Sequence, residues 1–233
     1  MIQIKTRSIG MIEVIQKQIN DPDVKECLTG IKSAVNYDRE GVSLLVKFFA
    51  TRREQNIPIG FIDGTIYQTL LKMNDQSLTQ EMITGLNLAE GTIDYLQLFN
   101  LLSLGEYQQA DVLHNQKMCE ASGTNAAERG WLYFTDVEQI SLQDLQTLDR
   151  LWVVFSEGKF GYSVQRKIWL NLGKNWEKLW KQIKWKQEGS FARYPGGFIW
   201  NLDAPRGHLP LSNQIRGNKT LEAIFNLFSK IEQ

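Results

Sequence analysis

The sequence is poor in the residues on which most disulfide frameworks and metal centres depend. It contains only two cysteines and two histidines in 233 residues. Cys27 and Cys119 lie far apart and form no CxxC pair, so neither a disulfide framework nor a zinc site is indicated, and both are expected to be small buried side chains. No stretch approaches the roughly 18 apolar residues that a membrane span requires, and neither end resembles a secretory leader. We therefore expect a soluble, cytosolic protein.

Motifs for nucleotide-dependent or hydrolytic catalysis are also missing. The sequence contains no GxGxxG, GxxxxGK[ST] or HExxH pattern. His208, Asp203 and Ser212 could form a triad, but three such residues in one loop are common by chance and no nucleophile elbow accompanies them. We therefore expect no catalytic residues and no metal site, and we interpret His208 as a hydrogen-bonding residue that shapes its loop.

Positive charge and large aromatic side chains are present but concentrated in one part of the chain. Residues 158–219 hold twelve Lys or Arg and three acids, a balance of about +9, whereas residues 1–157 hold thirteen bases and twenty-one acids, a balance of about −8. All seven Trp follow Gly130. The later part of the chain is therefore expected to attract anions, and the earlier part to repel them.

Apolar residues recur at helical spacing along most of the chain, which predicts an all-α fold. Short helices separated by turn signals predict an amino-terminal helical bundle over residues 1–88, without a sequence repeat strong enough to indicate a solenoid. The periodicity weakens around residues 84–91, and we place the domain boundary there. Residues 89–233 are expected to form a second helical domain.

Several helix boundaries in the second domain are marked by capping residues. A helix is predicted from Glu106 to about Ser122. Ser141 and Asn175 are expected to be N-caps of later helices, because a side-chain oxygen at that position accepts a free backbone N–H. A final helix carries four apolar residues at helical spacing: Leu221, Ile224, Phe225 and Phe228.

The segment from Gln187 to Asn213 is interrupted by three prolines and four glycines, so we expect no helix and no other regular structure. Such a long segment is usually either functional or disordered, and this one is too aromatic for a disordered linker. We predict a functional loop. Its arginines and aromatic rings suit a flat, apolar, doubly anionic ligand or stacked nucleic-acid bases.

Three ordered motifs resemble a known family. They are WLYFTDVE at residues 131–138, FGYSVQR at residues 160–166 and FIWNLDAPRGHLP at residues 198–210. They are similar to the genomes-uncoupled family of porphyrin-binding activators of magnesium chelatase, over roughly residues 93–228. The amino-terminal bundle most resembles that of cyanobacterial members.

The resemblance implies a helical core shaped like a cupped hand, with an apolar palm and the long loop as its fingers. Such a protein binds protoporphyrin IX or magnesium-protoporphyrin IX without being an enzyme itself, and it stimulates magnesium chelatase through that enzyme's large porphyrin-binding subunit. Tyr194 stands where members often carry Trp, and Lys219 where an Arg can occur. The candidate porphyrin-binding residues are Phe134, Val137, Phe191, Arg193, Tyr194, Phe198, Trp200, Leu211, Arg216 and Lys219.

The resemblance also implies a cytoplasmic monomer that associates peripherally with thylakoid membranes and does not bind nucleic acid. Two alternatives from other classes stay open on the residues alone. The basic and aromatic segment could bind single-stranded nucleic acid, or it could dock a protein partner as part of a helical interaction module.

Overall fold

The computed structural model of the protein describes residues 12–88, 93–212 and 218–230. Contacts between residues divide the chain into two units, Met1–Gly85 and Leu86–Gln233. The boundary expected from the sequence follows residue 88. No helix within the described ranges is long and apolar enough to cross a membrane.

The first unit is helical, as the apolar spacing predicts. Asp23 begins one of its helices by accepting the backbone N–H groups of Lys25 and Glu26. The helices are α1 (residues 12–19), α2 (Val24–Ser33), α3 (Asp38–Glu54), α4 (Phe61–Lys72) and α5 (Thr79–Gly85), with a 3-10 helix (Ala34–Tyr37) between α2 and α3.

A buried carboxylate joins two helices of the first unit. Asp63 on α4 is fully buried and accepts hydrogen bonds from the Nε and Nη2 atoms of Arg52, at 2.9 and 3.0 Å, and from Arg53 Nη2 at 2.8 Å. It also accepts the Gly60 N–H at the start of its own helix. Because a buried charge is costly unless it is paired, this cluster fixes α3 against α4.

The second unit is mostly helical around an aromatic core. Ser141 and Asn175 are N-caps, as predicted, and accept the N–H groups of Asp144 and Lys178. The helices are α6 (Leu96–Ser103), α7 (Tyr107–Ser122), α8 (Thr124–Arg129), α9 (Leu142–Val154), α10 (Tyr162–Asn171), α11 (Trp176–Gln182) and α12 (Lys219–Phe228), with a 3-10 helix at Val137–Gln139.

Four tryptophans of the second unit form a ladder of neighbouring rings. Ring centroids are 4.7 Å apart between Trp169 and Trp176, 5.2 Å between Trp176 and Trp180, and 5.3 Å between Trp180 and Trp185. The last ring is completely buried, and its Nε1–H donates to the His208 carbonyl at 2.7 Å. This indole ladder therefore connects α10 and α11 to the loop that follows them.

The prediction that residues 187–213 lack regular structure is wrong at the start of that segment. Strands β1 (Lys186–Gln187) and β2 (Ser190–Phe191) form an antiparallel hairpin. Both residues of its turn, Glu188 and Gly189, have positive φ, which is the backbone required by a two-residue type I′ turn. Strands of two residues have no readable alternation, so the sequence pattern could not reveal them.

His208 shapes the rest of this segment, as predicted. The ring is completely buried, its Nδ1 lies 2.6 Å from the Ile183 carbonyl oxygen, and its Nε2 lies 3.0 Å from the Ile199 nitrogen. A carbonyl only accepts and a backbone N–H only donates, so the imidazole is neutral with its proton on Nδ1. Gln165 adds two hydrogen bonds, donated to the carbonyls of Gly207 and Pro210. Hydrogen bonds to buried side chains thus fix the conformation of this long segment.

Candidate functional site

A cavity of about 790 Å³ opens within the second unit. This volume lies in the range of about 300 to 1,000 Å³ typical of small-molecule sites. Its lining comes from five places in the chain: one face of α7, the segment after α8, the first residue of α10, the hairpin with its following loop, and the first turns of α12.

Helix α7 supplies a stripe of polar and small residues. Asp111, Asn115 and Cys119 follow one another at intervals of four residues and therefore lie on one face of the helix. Burial raises the pKa of the Cys119 thiol, which disfavours the reactive thiolate. This side of the cavity is thus suited to contact and not to nucleophilic attack.

The hairpin and the loop after it supply the aromatic side of the cavity. Five of the predicted site residues meet here: Phe191, Arg193, Tyr194, Phe198 and Leu211 all line it. The first three are exposed, whereas Phe198 and Leu211 are buried. Gly197 keeps this loop tight, because a Cβ at that position would lie 2.6 Å from the Arg193 nitrogen. The loop therefore places Arg193 and the aromatic rings of Tyr194 and Phe198 in the lining of the same cavity.

The other predicted site residues that the structure describes do not line the cavity. Phe134 is exposed, with the Lys219 ammonium 5.5 Å from its ring centroid. Val137 is completely buried in the 3-10 helix. Trp200 packs edge-on against Tyr194, and its Nε1–H donates to a backbone carbonyl of the loop. Arg216 lies outside the described residues.

Two residues of the WLYFTDVE motif, Trp131 and Leu132, line the cavity. The Arg129 guanidinium lies 4.5 Å from the Trp131 ring centroid and is paired with Asp136. Asp136 also accepts the Tyr133 N–H at 2.6 Å. These contacts fix an aromatic face at the cavity and occupy the guanidinium, so Arg129 is a positioning group for Trp131.

A buried carboxyl group lies at the cavity wall. Asp111 is 2% exposed, and its Oδ1 accepts the Leu211 N–H at 2.7 Å. Its Oδ2 has no hydrogen-bond partner among the described residues. Burial raises the pKa of Asp111 to about 7, although the Leu211 hydrogen bond opposes this change.

Tyr162 also lines the cavity, and two buried neighbours fix the direction of the hydrogen bond at its hydroxyl. Trp152 Nε1–H donates to His114 Nδ1 at 3.1 Å, and burial lowers the pKa of His114 to about 3. The imidazole is therefore neutral with its proton on Nε2, which lies 3.1 Å from Tyr162 Oη. Because His114 donates here, the hydrogen of the Tyr162 hydroxyl is available to another acceptor.

The sequence did not single out Asp111, Asn115, Cys119 or Tyr162 as site residues. For the three residues of α7 the only signal was their spacing at intervals of four, which places a carboxylate, an amide and a thiol on one side of a helix. Asp111 meets Leu211 across 100 residues of sequence. A contact of this kind leaves no local pattern.

The cavity suits binding more than catalysis. Its rings and aliphatic side chains offer an apolar surface, and its charged groups are Asp111 on the buried side and Arg193 on the exposed side. No group of three or more His, Cys, Asp or Glu within the described part of the chain could hold a metal ion.

Fold and cavity together define a two-unit, mostly helical protein with a ligand-sized apolar cavity in its second unit. The chain belongs to the GUN4-like family, whose sequence profile matches residues 89–227. Residues 5–84 match the profile of an ARM-like repeat domain, GUN4-N terminal. The resemblance stated from the three motifs is thereby confirmed.

The relatives include proteins from cyanobacteria, algae and plants. A Ycf53-like protein of Synechocystis is 38% identical over 218 residues, which cover 91% of this chain and 93% of that protein. A chloroplastic tetrapyrrole-binding protein of Arabidopsis thaliana is 36% identical over 138 residues, 55% of this chain and 52% of that one. The solved structure of GUN4 from Chlamydomonas reinhardtii superposes with a TM-score of 0.55 at 43% identity, covering 59% of this chain and 89% of that chain.

Proposed function

We propose that this protein binds protoporphyrin IX or magnesium-protoporphyrin IX in the cavity of its second unit and thereby stimulates magnesium chelatase. The observation that carries the proposal is a cavity of about 790 Å³ lined by aromatic and aliphatic side chains with an arginine on its exposed side. The name of the Arabidopsis relative, a tetrapyrrole-binding protein, supports the same ligand class.

The expected affinity follows from apolar contact and charge pairing. Covering about 300 Å² of apolar macrocycle contributes on the order of 7 kcal/mol. Lost rigid-body freedom and loop ordering oppose binding by at least about 4 kcal/mol. Two pairings between a cation and a propionate contribute about 1.5 to 3 kcal/mol each. The sum is near −8 kcal/mol, which corresponds to a micromolar dissociation constant.

Arg193 and Lys219 are the described residues that we propose as partners of the propionates. Arg193 lines the cavity, and Lys219 directly precedes Thr220, which also lines it. The guanidinium offers a planar fork to a carboxylate, whereas the ammonium acts as a point charge. We therefore assign the more directional contact to Arg193. From the resemblance we also retain Phe134 and Arg216 as proposed ligand residues, whereas Val137 is completely buried and presents no surface to a ligand.

The proposed role is regulatory and not enzymatic. We propose that the protein acts as a cytoplasmic monomer, presents substrate or withdraws product through the large porphyrin-binding subunit of the chelatase, and associates peripherally with thylakoid membranes. We also propose that the boundary between the two domains follows residue 88. The nucleic-acid alternative is less well supported, because Arg193 is the only cation among the described lining residues.

A titration of tryptophan fluorescence with protoporphyrin IX tests the ligand. Wild-type protein should show saturable quenching with a midpoint below ~10 μM. Phe191→Asp should weaken binding at least ~10-fold, because it places a charge against an apolar macrocycle. Leu170→Asp is the matched control, since Leu170 is also exposed and does not line the cavity. Absence of saturable quenching of the wild type would refute the proposal.

Two further measurements complete this test. Porphyrin affinity should change little with salt concentration, whereas nucleic-acid binding would weaken steeply as salt is added. Magnesium chelatase activity should rise in the presence of wild-type protein and of the Leu170→Asp variant, and should rise less with Phe191→Asp.

A further inference from the structure

Positive and negative charge are segregated along the second unit. Residues 86–157 hold three bases and eleven acids, whereas residues 158–219 hold twelve bases and three acids. The first unit, residues 1–85, is balanced, with ten bases and ten acids. The charge asymmetry of the chain therefore belongs to the second unit. Because its two parts nearly cancel, that unit offers an anionic partner a local positive surface and not a net charge.

Four exposed lysines on and around α11 form a surface that we call the lysine face. Its members are Lys174, Lys178, Lys181 and Lys184. Lys178 and Lys181 lie three residues apart on the side of α11 that is not buried. The Lys184 N–H continues this turn by donating to the Lys181 carbonyl, and the Lys174 ammonium lies 5.8 Å from the ring centroid of Trp169. The packed rings of the indole ladder therefore support the lysine face from below.

Most of this charge is not neutralised within the protein. Glu177 is the only acid in residues 160–187. Its carboxylate lies 2.9 Å from the Lys186 ammonium and 3.7 Å from the Lys181 ammonium, so two cations share one acid. The other three members of the lysine face have no ion pair within the described part of the chain. The face therefore keeps most of its positive charge for a partner outside the protein.

The residue types of the lysine face distinguish between anionic partners. Protein interfaces are depleted in lysine and enriched in arginine, and this face has no arginine. Single-stranded nucleic acid needs aromatic rings on which bases stack, but Trp169, Trp180 and Trp185 of the ladder are buried. A bilayer with anionic headgroups requires only flexible point charges, which lysines supply. The face therefore fits a lipid surface best.

Lys186 connects the lysine face to the cavity. Its ammonium lies beside Glu177 on α11 and 5.4 Å from the ring centroid of Phe191, which lines the cavity. The side chains of Phe191 and Tyr194 are 45% and 53% exposed. Exposed aromatic rings beside cations are typical of side chains that enter the headgroup region of a bilayer. A protein docked through the lysine face therefore holds the cavity close to the apolar phase that dissolves a porphyrin.

We infer that the lysine face docks the protein onto a bilayer surface that carries anionic lipid headgroups, with the cavity beside the contact. This inference rests on the peripheral membrane association in the proposed function, to which it assigns a surface and a lipid class. The bilayer attracts the lysine face and repels the acidic part of the same unit, residues 86–157. The protein therefore docks in one orientation.

Sedimentation of the intact chain with lipid vesicles tests the inference. Wild-type protein should bind vesicles of phosphatidylcholine with about one third phosphatidylglycerol at least ~10-fold more tightly than vesicles of phosphatidylcholine alone. The triple variant Lys178→Gln, Lys181→Gln, Lys184→Gln should bind the anionic vesicles at least ~20-fold more weakly than wild type, because each lysine near an anionic surface contributes about fivefold. Added salt should release the wild type from the anionic vesicles, since the attraction is screened.

The matched control removes three exposed lysines from the first unit instead, with the same change in net charge. Its substitutions are Lys17→Gln, Lys25→Gln and Lys47→Gln. This variant should bind the anionic vesicles within about twofold of wild type. Both triple variants should bind protoporphyrin IX in lipid-free solution as tightly as wild type, because none of the substituted lysines lines the cavity. That titration also shows that each variant is folded.

The outcomes separate this inference from the proposed function. Equal losses of vesicle binding in the two triple variants would overturn the inference, because net charge and not the lysine face would then drive the association. Equal binding of wild type to neutral and anionic vesicles would also overturn it, while leaving membrane association standing. Wild type that binds neither kind of vesicle would overturn the membrane association as well. If the lysine-face variant then stimulated magnesium chelatase less than the control, the face would belong to an acidic protein surface. Failure to bind porphyrin in lipid-free solution would overturn the proposed ligand and not the docking surface.

Discussion

Asp111 carries a stability cost that its surroundings do not offset. Its pKa of about 7 in the folded chain lies above the ordinary value of 3.8, so the folded protein binds a proton that the unfolded chain has lost. Stability from this group is therefore highest in mild acid and declines as pH rises toward 7. Above that pH the full cost of a buried carboxylate is present.

The first prediction concerns the pH dependence of stability in Asp111→Asn. The amide is neutral at every pH, so it removes the cost in alkali but changes little in acid. The gain in unfolding free energy over wild type should be larger at pH 8 than at pH 5 by about 2 to 3 kcal/mol. Urea unfolding at the two pH values measures this difference.

Asp149→Asn serves as the comparison for this prediction. Burial raises the pKa of Asp149 to about 6, against the hydrogen bonds from Ser163 and Tyr162. The gain in unfolding free energy of Asp149→Asn over wild type should therefore reach its full size at a pH about one unit lower than the gain of Asp111→Asn. An Asp111→Asn gain that is the same at pH 5 and pH 8 would contradict the assignment of a neutral-range pKa.

At the scale of elements, the loop after β2 is held by close contact at a glycine. A Cβ at Gly197 would lie 2.6 and 2.8 Å from the backbone nitrogen and oxygen of Arg193, whereas a Cβ at Gly196 would meet nothing within 4 Å. The two neighbouring glycines thus differ in what they permit. Only one of them controls where Arg193 and Tyr194 lie.

The second prediction compares the two glycines. Gly197→Ala should displace the loop and weaken porphyrin binding by ~10-fold or more, while Gly196→Ala should leave the affinity within about twofold of wild type. Fluorescence titration of both variants with protoporphyrin IX provides the measurement. Equal affinities for the two variants would show that the loop position does not matter for binding.

The elements also show what sequence patterns could predict. The caps Ser141 and Asn175 are local signals, because the side chain and the N–H groups it accepts are within three residues of each other. The loop residues Phe191 and Arg193 stood out through composition. Asp111 did not, because its role depends on Leu211, which is distant in sequence and close only in the fold. The repeat character of residues 5–84 was missed for a similar reason, since helical repeats preserve packing positions more than residue identity.

At the scale of the whole molecule, every described residue of the cavity belongs to the second unit. The first unit has its own buried ion cluster at Asp63 and its own helical core. Each unit therefore has a buried core of its own, and the described lining of the cavity lies in the second unit alone.

The third prediction follows from this division. A chain shortened to residues 86–233 should bind protoporphyrin IX within about twofold of the full chain, because none of the lining residues that the structure describes is removed. Isothermal titration of both proteins measures the two affinities. A loss larger than tenfold, in a shortened chain with an unchanged melting profile, would assign part of the ligand site to the first unit.

The indole ladder affects how this protein is observed by optical methods. Excitation absorbed by one ring migrates to the next at separations near 5 Å, and Trp180 lies 6.4 Å from Phe191 at the cavity. One bound chromophore should therefore quench several emitters at once. The same coupled transitions add their own bands to the far-ultraviolet dichroism of the helices. Spectra of variants are thus best compared with one another, since a helix content calculated from any single spectrum will be biased.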